Sequence, residues 1–211
     1  MKKVLVVLSV VSVMIACKKT NDTTTTPVAT SKTVSDIIAD TIIGYTAQGQ
    51  PFGANKYTFY SLERNEVVAS TDSATNRWDI GFRGTTIITN SGNSGPGNGG
   101  GFVFIGTYDA LKAVPADSTF RTDIAPTAYA ITSGSNRGWY VYNGQTNLVT
   151  PIPGRVLVFR TATGKYAKVE ILNYYKGGVT PAVTATDDEK TKKQRYYTFR
   201  FTYQADGSKN F

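Results

Sequence analysis

Histidine is absent from this 211-residue chain, cysteine occurs once and methionine twice. Without an imidazole there is no Ser-His-Asp or Cys-His machinery, and the commonest metal ligand is missing. A single cysteine forms no intrachain disulfide, so the core must stand without crosslinks. Acidic residues are sparse as well, 15 Asp and Glu against 23 Lys and Arg. No apolar run approaches the ~20 residues that a membrane-spanning helix needs. The longest, Val4–Ile15, stops short of that and leads into Ala16-Cys17.

What stands at the start is MKKVLVVLSVVSVMIAC: a basic Lys2-Lys3 pair, the apolar run, and a small residue before the cysteine. That order reads as a bacterial export signal ending in a lipobox-like M-I-A-C. Cleavage before Cys17 makes residues 1–16 the signal peptide and leaves Cys17 as the acylated, palmitate-bearing N-terminus. Met1 and Met14 depart with the signal, so the mature chain has no free His, Met or Cys side chain. Lys2 and Lys3 depart too, taking the formal charge from +8 to about +6. The basic residues are dispersed, and the one cluster, Lys190, Lys192, Lys193 and Arg195, adjoins Asp187-Asp188-Glu189. That self-neutralising arrangement points to a solvated loop and to no nucleic-acid partner.

Residues 17–33 are Thr-rich and nearly free of large apolar side chains, the composition of a flexible tether. A single all-β domain is expected over 34–211. Val34–Ile43 reads equally as a strand or a short helical turn. Beyond it come Tyr57–Leu62 and Glu66–Thr71, joined at Glu63-Arg64-Asn65 as a hairpin, then Arg77–Arg83, Thr85–Thr89 and Phe102–Ile105. Trp139–Tyr142, Arg155–Thr161, Tyr166–Tyr174 and Arg195–Gln204 complete the series. Alternation places Trp78, Ile80 and Phe82 on one face, and Tyr197, Phe199, Phe201 and Tyr203 on another. A tight turn is expected at Ala162–Lys165 and a long connection over 176–194. No sustained helical period is seen.

The stretch NSGNSGPGNGGG, residues 90–101, contains a G-x-G-x-x-G match at Gly95–Gly100. A dinucleotide site needs a helix after that motif, because the helix N-terminus supplies the anion donors. Phe102-Val103-Phe104-Ile105 follows instead, so the loop is read as a structural connection between strands.

Taken in order, Tyr57–Leu62, Glu66-Val67-Val68, Trp78-Asp79-Ile80 and the Ser94–Gly101 loop resemble the HmuY family of Bacteroidota outer-membrane lipoproteins. Gly138-Trp139, Arg155–Arg160, Gly164, Ala167-Lys168-Val169, Tyr174 and Tyr197–Phe201 continue the resemblance, with 176–194 as an insertion. The resemblance implies a two-lobed antiparallel β domain at the outer membrane, on its surface or periplasmic face, that captures haem between loops and hands it to a TonB-dependent transporter. It also implies that the glycine loop works through positive φ and close backbone packing.

Known members hold haem iron with two His or two Met side chains, and the mature chain has neither. The second ligand position corresponds to Asn143 or Gly144, and the first falls between Tyr129 and Gly138. Three readings stay open: haem held by a phenolate of Tyr129, Tyr140 or Tyr142; another planar or apolar ligand stacked on aromatics in the same cleft; or tyrosines that only pack, in a protein whose partner is a protein or glycan. The chain is not expected to be an enzyme. Glu63, Glu66, Asp79 and Glu170 are the strand-borne carboxylates that a hydrolase would need, with Asp79 expected to pair with Arg77 or Arg83.

Overall fold

The computed structural model describes residues 29–211, so the expected signal peptide and Cys17 lie outside the described residues. Thirteen strands form among them: β1 Ser31–Ile38, β2 Gly44–Tyr45, β3 Pro51–Phe52, β4 Thr58–Ser61, β5 Glu66–Val68, β6 Ile80–Arg83, β7 Thr86–Thr89, β8 Gly100–Ile105, β9 Tyr140–Asn143, β10 Leu148–Pro151, β11 Arg155–Arg160, β12 Tyr166–Tyr175 and β13 Gln194–Gln204. One α-helix, α1, spans Asp187–Lys193. The larger sheet has the order β1-β13-β12-β11-β8 and the smaller β5-β4-β6-β7; β9-β10 and β2-β3 are separate two-stranded ribbons. Every pairing is antiparallel. The all-β antiparallel expectation therefore holds.

The two large sheets face one another because each presents an apolar face to the other. Leu157 and Phe159, Ala167, Val169 and Ile171, and Tyr197, Phe199 and Phe201 point inward from the larger sheet, meeting Tyr60, Leu62, Ile80, Phe82 and Ile87 in one core. Phe82 lies 4.6 Å from the Tyr197 ring, and Tyr60 meets Phe199 edge-on at 5.4 Å. Each such ring, buried, contributes roughly 1.5–3 kcal/mol. The outer face of the larger sheet is covered by residues 107–120 and the C-terminus, where Tyr108, Leu111 and Val114 pack on Val156 and Val158. On this face Lys168 is buried, and its ammonium donates to the carbonyls of Tyr108 and Leu111 at 2.8 and 2.7 Å.

Several sequence expectations need correction. β1 begins at Ser31, three residues ahead of the expected domain start. Trp78 does not share a face with Ile80 and Phe82: it precedes the strand and packs with Phe59, Val68 and Ile88 on the opposite side of the smaller sheet. Asp79 pairs with neither arginine. Buried, it accepts backbone N–H groups of Leu62 at 2.8 Å and Ala162 at 3.0 Å, while Arg77 pairs with Asp72 and Arg83 lies over the Tyr57 ring. Desolvation pushes the Asp79 carboxyl above its ordinary range. The connection 176–194 contains α1, which a helical period of one face could not reveal in two turns. A capping signature was present: the Thr186 hydroxyl accepts from the Glu189 N–H, the T-x-x-E pattern of a helix start.

The glycine loop is structural, but by close approach more than by φ. Within 90–101 only Gly92 has positive φ, 58°. A Cβ on Gly99 would sit 2.6 Å from the Asn90 carbonyl oxygen, and one on Gly97 would sit 2.8 Å from both that oxygen and Ala162 Cβ. Asn90, fully buried, is the hub: its amide donates to Thr75 and Trp78 carbonyls and accepts from Gly97 N–H. The N–H groups of Gly97, Asn98 and Gly99 are taken by Asn90 and Ala162, and strand β8 follows in place of a helix.

Candidate functional site

The β9-β10 ribbon carries the residues that the resemblance singled out. Trp139 and Tyr140 enter it buried, and Tyr142 and Asn143 leave it exposed. Trp139 anchors the ribbon on the core, with ring centroids 5.1 Å from Tyr197 and 5.6 Å from Tyr174, and its indole N–H donates to the Thr85 carbonyl. Tyr140 is only 8% exposed and its hydroxyl accepts from Thr85. Asn143 caps the turn that follows, its Oδ1 accepting from the N–H groups of Gln145 and Thr146. Tyr142 is 47% exposed and stands at the edge of an open cleft of about 520 Å³.

That cleft has three walls. The β2-β3 hairpin supplies Tyr45, Gln50 and Pro51; the β9-β10 ribbon supplies Tyr142 and Asn147; α1 supplies Asp187, Asp188 and Thr191. The Tyr142 hydroxyl donates to Asn147 Oδ1 at 2.7 Å, and Asn147 Nδ2 donates to Asp187 Oδ1 at 3.0 Å. This relay ties the ribbon to the helix and leaves the Asp187 carboxylate largely exposed. Opposite, the hairpin is fastened at its base. Asp40 accepts from the N–H groups of Asn55 and Lys56, and Arg195 donates to the Asp40 carbonyl at 2.7 Å. Gly53 is required there, because a Cβ would meet Asp40 Oδ2 at 2.3 Å.

The basic cluster beside α1 is internally paired, as expected. Lys192 bonds Asp188 at 2.6 Å and Lys193 bonds Glu189 at 2.7 Å. The Asp188 carboxylate raises the Lys192 ammonium above its ordinary value. The segment between Tyr129 and Gly138 reaches the ribbon through Ser135, whose hydroxyl accepts from the Tyr142 N–H at 2.9 Å. The two loops that the resemblance pointed to are therefore neighbours.

The three candidate phenols do not converge. Tyr129 packs with Tyr57, Phe59 and Trp78 beyond the smaller sheet, in a different cluster from Tyr140. Tyr140 belongs to the core, and Tyr142 alone borders the cleft. Sequence reasoning missed Tyr45, Gln50 and Asn147. Tyr45 and Pro51 face each other across a two-residue pairing too short to show periodicity. Of the four carboxylates considered for hydrolysis, Glu66 is held by Arg64 at 2.6 Å, Glu170 by Arg200 at 2.6 Å and Asp79 by backbone N–H groups, while Glu63 lies beside Asp79 and Tyr203. Among the described residues no group of three or more metal-ligating side chains occurs, and no helix is long and apolar enough to cross a membrane.

Fold and cleft together define an all-antiparallel β protein with an open cleft of ligand size. The model of the HmuY protein family matches residues 53–186, and the chain belongs to that family. Among solved structures it is similar to an HmuY-like protein of Bacteroides vulgatus, at 14% identity and a TM-score of 0.49, covering 82% of this chain and 92% of that one. It is also similar to the apo HmuY analogue of Tannerella forsythia, at 15% identity and a TM-score of 0.45, covering 84% and 96%. No curated protein matches the sequence. The family match begins at Gly53 and ends at Thr186, so it takes in Tyr142 and Asn147 and omits the β2-β3 hairpin and α1, two of the three walls of the cleft.

Proposed function

We propose that this is a non-enzymatic, ligand-capturing lipoprotein, anchored in the outer membrane through acylated Cys17 and passing its ligand to a TonB-dependent transporter. The observation that carries the reading is Tyr142, an exposed aromatic on the cleft, next to the position, Asn143 or Gly144, that the resemblance matches to a haem ligand of the family. Membership of the HmuY family supports ligand binding. With residues 1–16 removed as a signal peptide, the protein has neither histidine nor methionine, so iron-porphyrin ligation by His or Met is not available to it. Haem coordination would therefore rest on a phenolate, and of the three candidates Tyr142 is the one with room beside it. Tyr140 is enclosed and Tyr129 lies elsewhere.

Haem titration of the full-length protein in a polyoxyethylene detergent tests this. A phenolate complex is high-spin with a charge-transfer band, and since the phenol releases its proton to ferric iron, affinity rises with pH. Tyr142→Phe keeps the ring and removes the oxygen, and is expected to abolish that band. An unchanged spectrum in Tyr142→Phe rejects ligation by this residue. The anchor is tested by detergent partitioning, which Cys17→Ala is expected to abolish.

A further inference from the structure

The lining of the cleft is chemically unlike a site for an anionic porphyrin. Its aromatic surface comes from Tyr45 and Tyr142, which are 50% and 47% exposed. Around them stand Gln50, Asn147, Asp187 and Asp188, side chains rich in carbonyl and carboxylate acceptors. Two cations stand beside the acids and both are engaged: Lys192 is held by Asp188 at 2.6 Å, and buried Lys190 donates to the Val183 carbonyl at 2.9 Å with its ammonium 3.9 Å from Asp187 Oδ1. The same Asp187 oxygen accepts from the Asn147 amide, and the Asp187 side chain is 71% exposed. A ligand bearing carboxylates or phosphates would meet two acids and cations already taken. A ligand bearing hydroxyl donors would meet matched acceptors.

Resting on the reading of this cleft as the ligand site, we infer that its ligand is a neutral saccharide. Sugar rings present C–H faces that stack on tyrosine and vicinal hydroxyls that donate to a carboxylate and bridge to a side-chain amide. The Tyr142–Asn147–Asp187 relay fixes one aromatic platform, one amide and one carboxylate in a single hydrogen-bonded unit before any ligand arrives, which lowers the ordering cost of binding. The hairpin platform, Tyr45, is fastened through Asp40 and Arg195. The open form of the cleft suits a chain that enters from the side. Two of the three walls fall outside the family match, so a change of ligand class needs no change in the shared fold.

The test is calorimetric titration of the full-length protein in polyoxyethylene detergent with neutral hexasaccharides (cello-, xylo-, manno-, laminari- and malto-series) and with hexagalacturonate as the anionic control. At least one neutral probe is expected to bind saturably, at least tenfold tighter than hexagalacturonate. Tyr142→Ala and Asp187→Ala are each expected to weaken it tenfold or more, with circular dichroism and melting temperature unchanged. Tyr142→Phe, which keeps the platform, is expected to retain most of the affinity. No saturation by any neutral probe up to about 10 mM, or tighter binding of the anion, overturns the saccharide assignment. Haemin separates the two levels: if haemin binds in a Tyr142-dependent way and the neutral probes do not, the cleft stands and the saccharide falls. If neither binds, both fall.

Discussion

The tyrosines of this protein occupy two settings, and Tyr140 and Tyr142, on one strand, fall one in each. Tyr140, Tyr174 and Tyr197 are sunk around Trp139, with Tyr174 and Tyr197 edge-on at 5.3 Å and the Tyr197 hydroxyl donating to the Gly84 carbonyl at 3.0 Å. Tyr142 and Tyr45 hold their rings half in solvent on the cleft. Both sets come from strands, and both look alike in a sequence. The buried set spends its aromatic surface on the core, whereas the exposed set leaves it available to a ligand. The difference teaches that tyrosine content says little about binding, and that only the rings left uncovered by the opposing sheet can act on a partner.

Breaking the buried set should have the largest effect. Trp139→Ala removes the ring against which Tyr140, Tyr174 and Tyr197 pack and leaves the Thr85 carbonyl without its indole donor, so a loss of about 3–5 kcal/mol is expected. Denaturant unfolding measures it; a loss under about 1 kcal/mol would show that the ribbon does not depend on this anchor. Tyr197→Phe keeps the ring and orphans the Gly84 carbonyl, which should cost roughly 1–3 kcal/mol in the same assay.

Titration sharpens the contrast next. Burial raises Tyr174 and Tyr197 well above the ordinary phenol value and pushes Tyr60 up to about 12. In the unfolded chain these phenols ionise near pH 10. Above that pH the native state holds protons that the unfolded state has released, so stability falls as pH rises from about 10 through the folded values. Absorbance at alkaline pH should show Tyr60, Tyr174 and Tyr197 ionising only above the ordinary phenol range and with cooperative unfolding. Ionisation of these three near pH 10 in still-folded protein would contradict the burial. The smallest effect on stability belongs to the cleft: Tyr142→Ala should change unfolding free energy by no more than about 0.5 kcal/mol. A larger loss would mean that this ring serves the fold.

Much of the fold was legible from residues alone. Period-two alternation in 195–204 put Tyr197, Phe199 and Phe201 on one face, as they are, and the turns at Glu63–Asn65 and Ala162–Lys165 follow from Asn65 and Gly164, both at positive φ. Other parts were hidden for local reasons. Trp78 lies just outside its strand, where alternation no longer applies. The two-residue strands of the β2-β3 hairpin and the two turns of α1 are shorter than any periodic signal. For Asp79, sequence neighbours suggested an arginine partner, but the backbone of Leu62 and Ala162, distant in sequence, reached it first.

By itself the sequence determined what chemistry is available: no imidazole, no thioether or thiol beyond the start of the chain, and strands whose alternation can close two sheets on an apolar core. Those properties are carried by residue type and short-range order, and no packing can change them. Which tyrosines are covered and which stand free, that Asn147 links Tyr142 to Asp187, and that a hairpin and a short helix wall the cleft were decided only by tertiary structure. Each depends on segments far apart in the chain meeting at one end of the sheets, and the contacts that bring them there leave no periodic trace in the segments themselves.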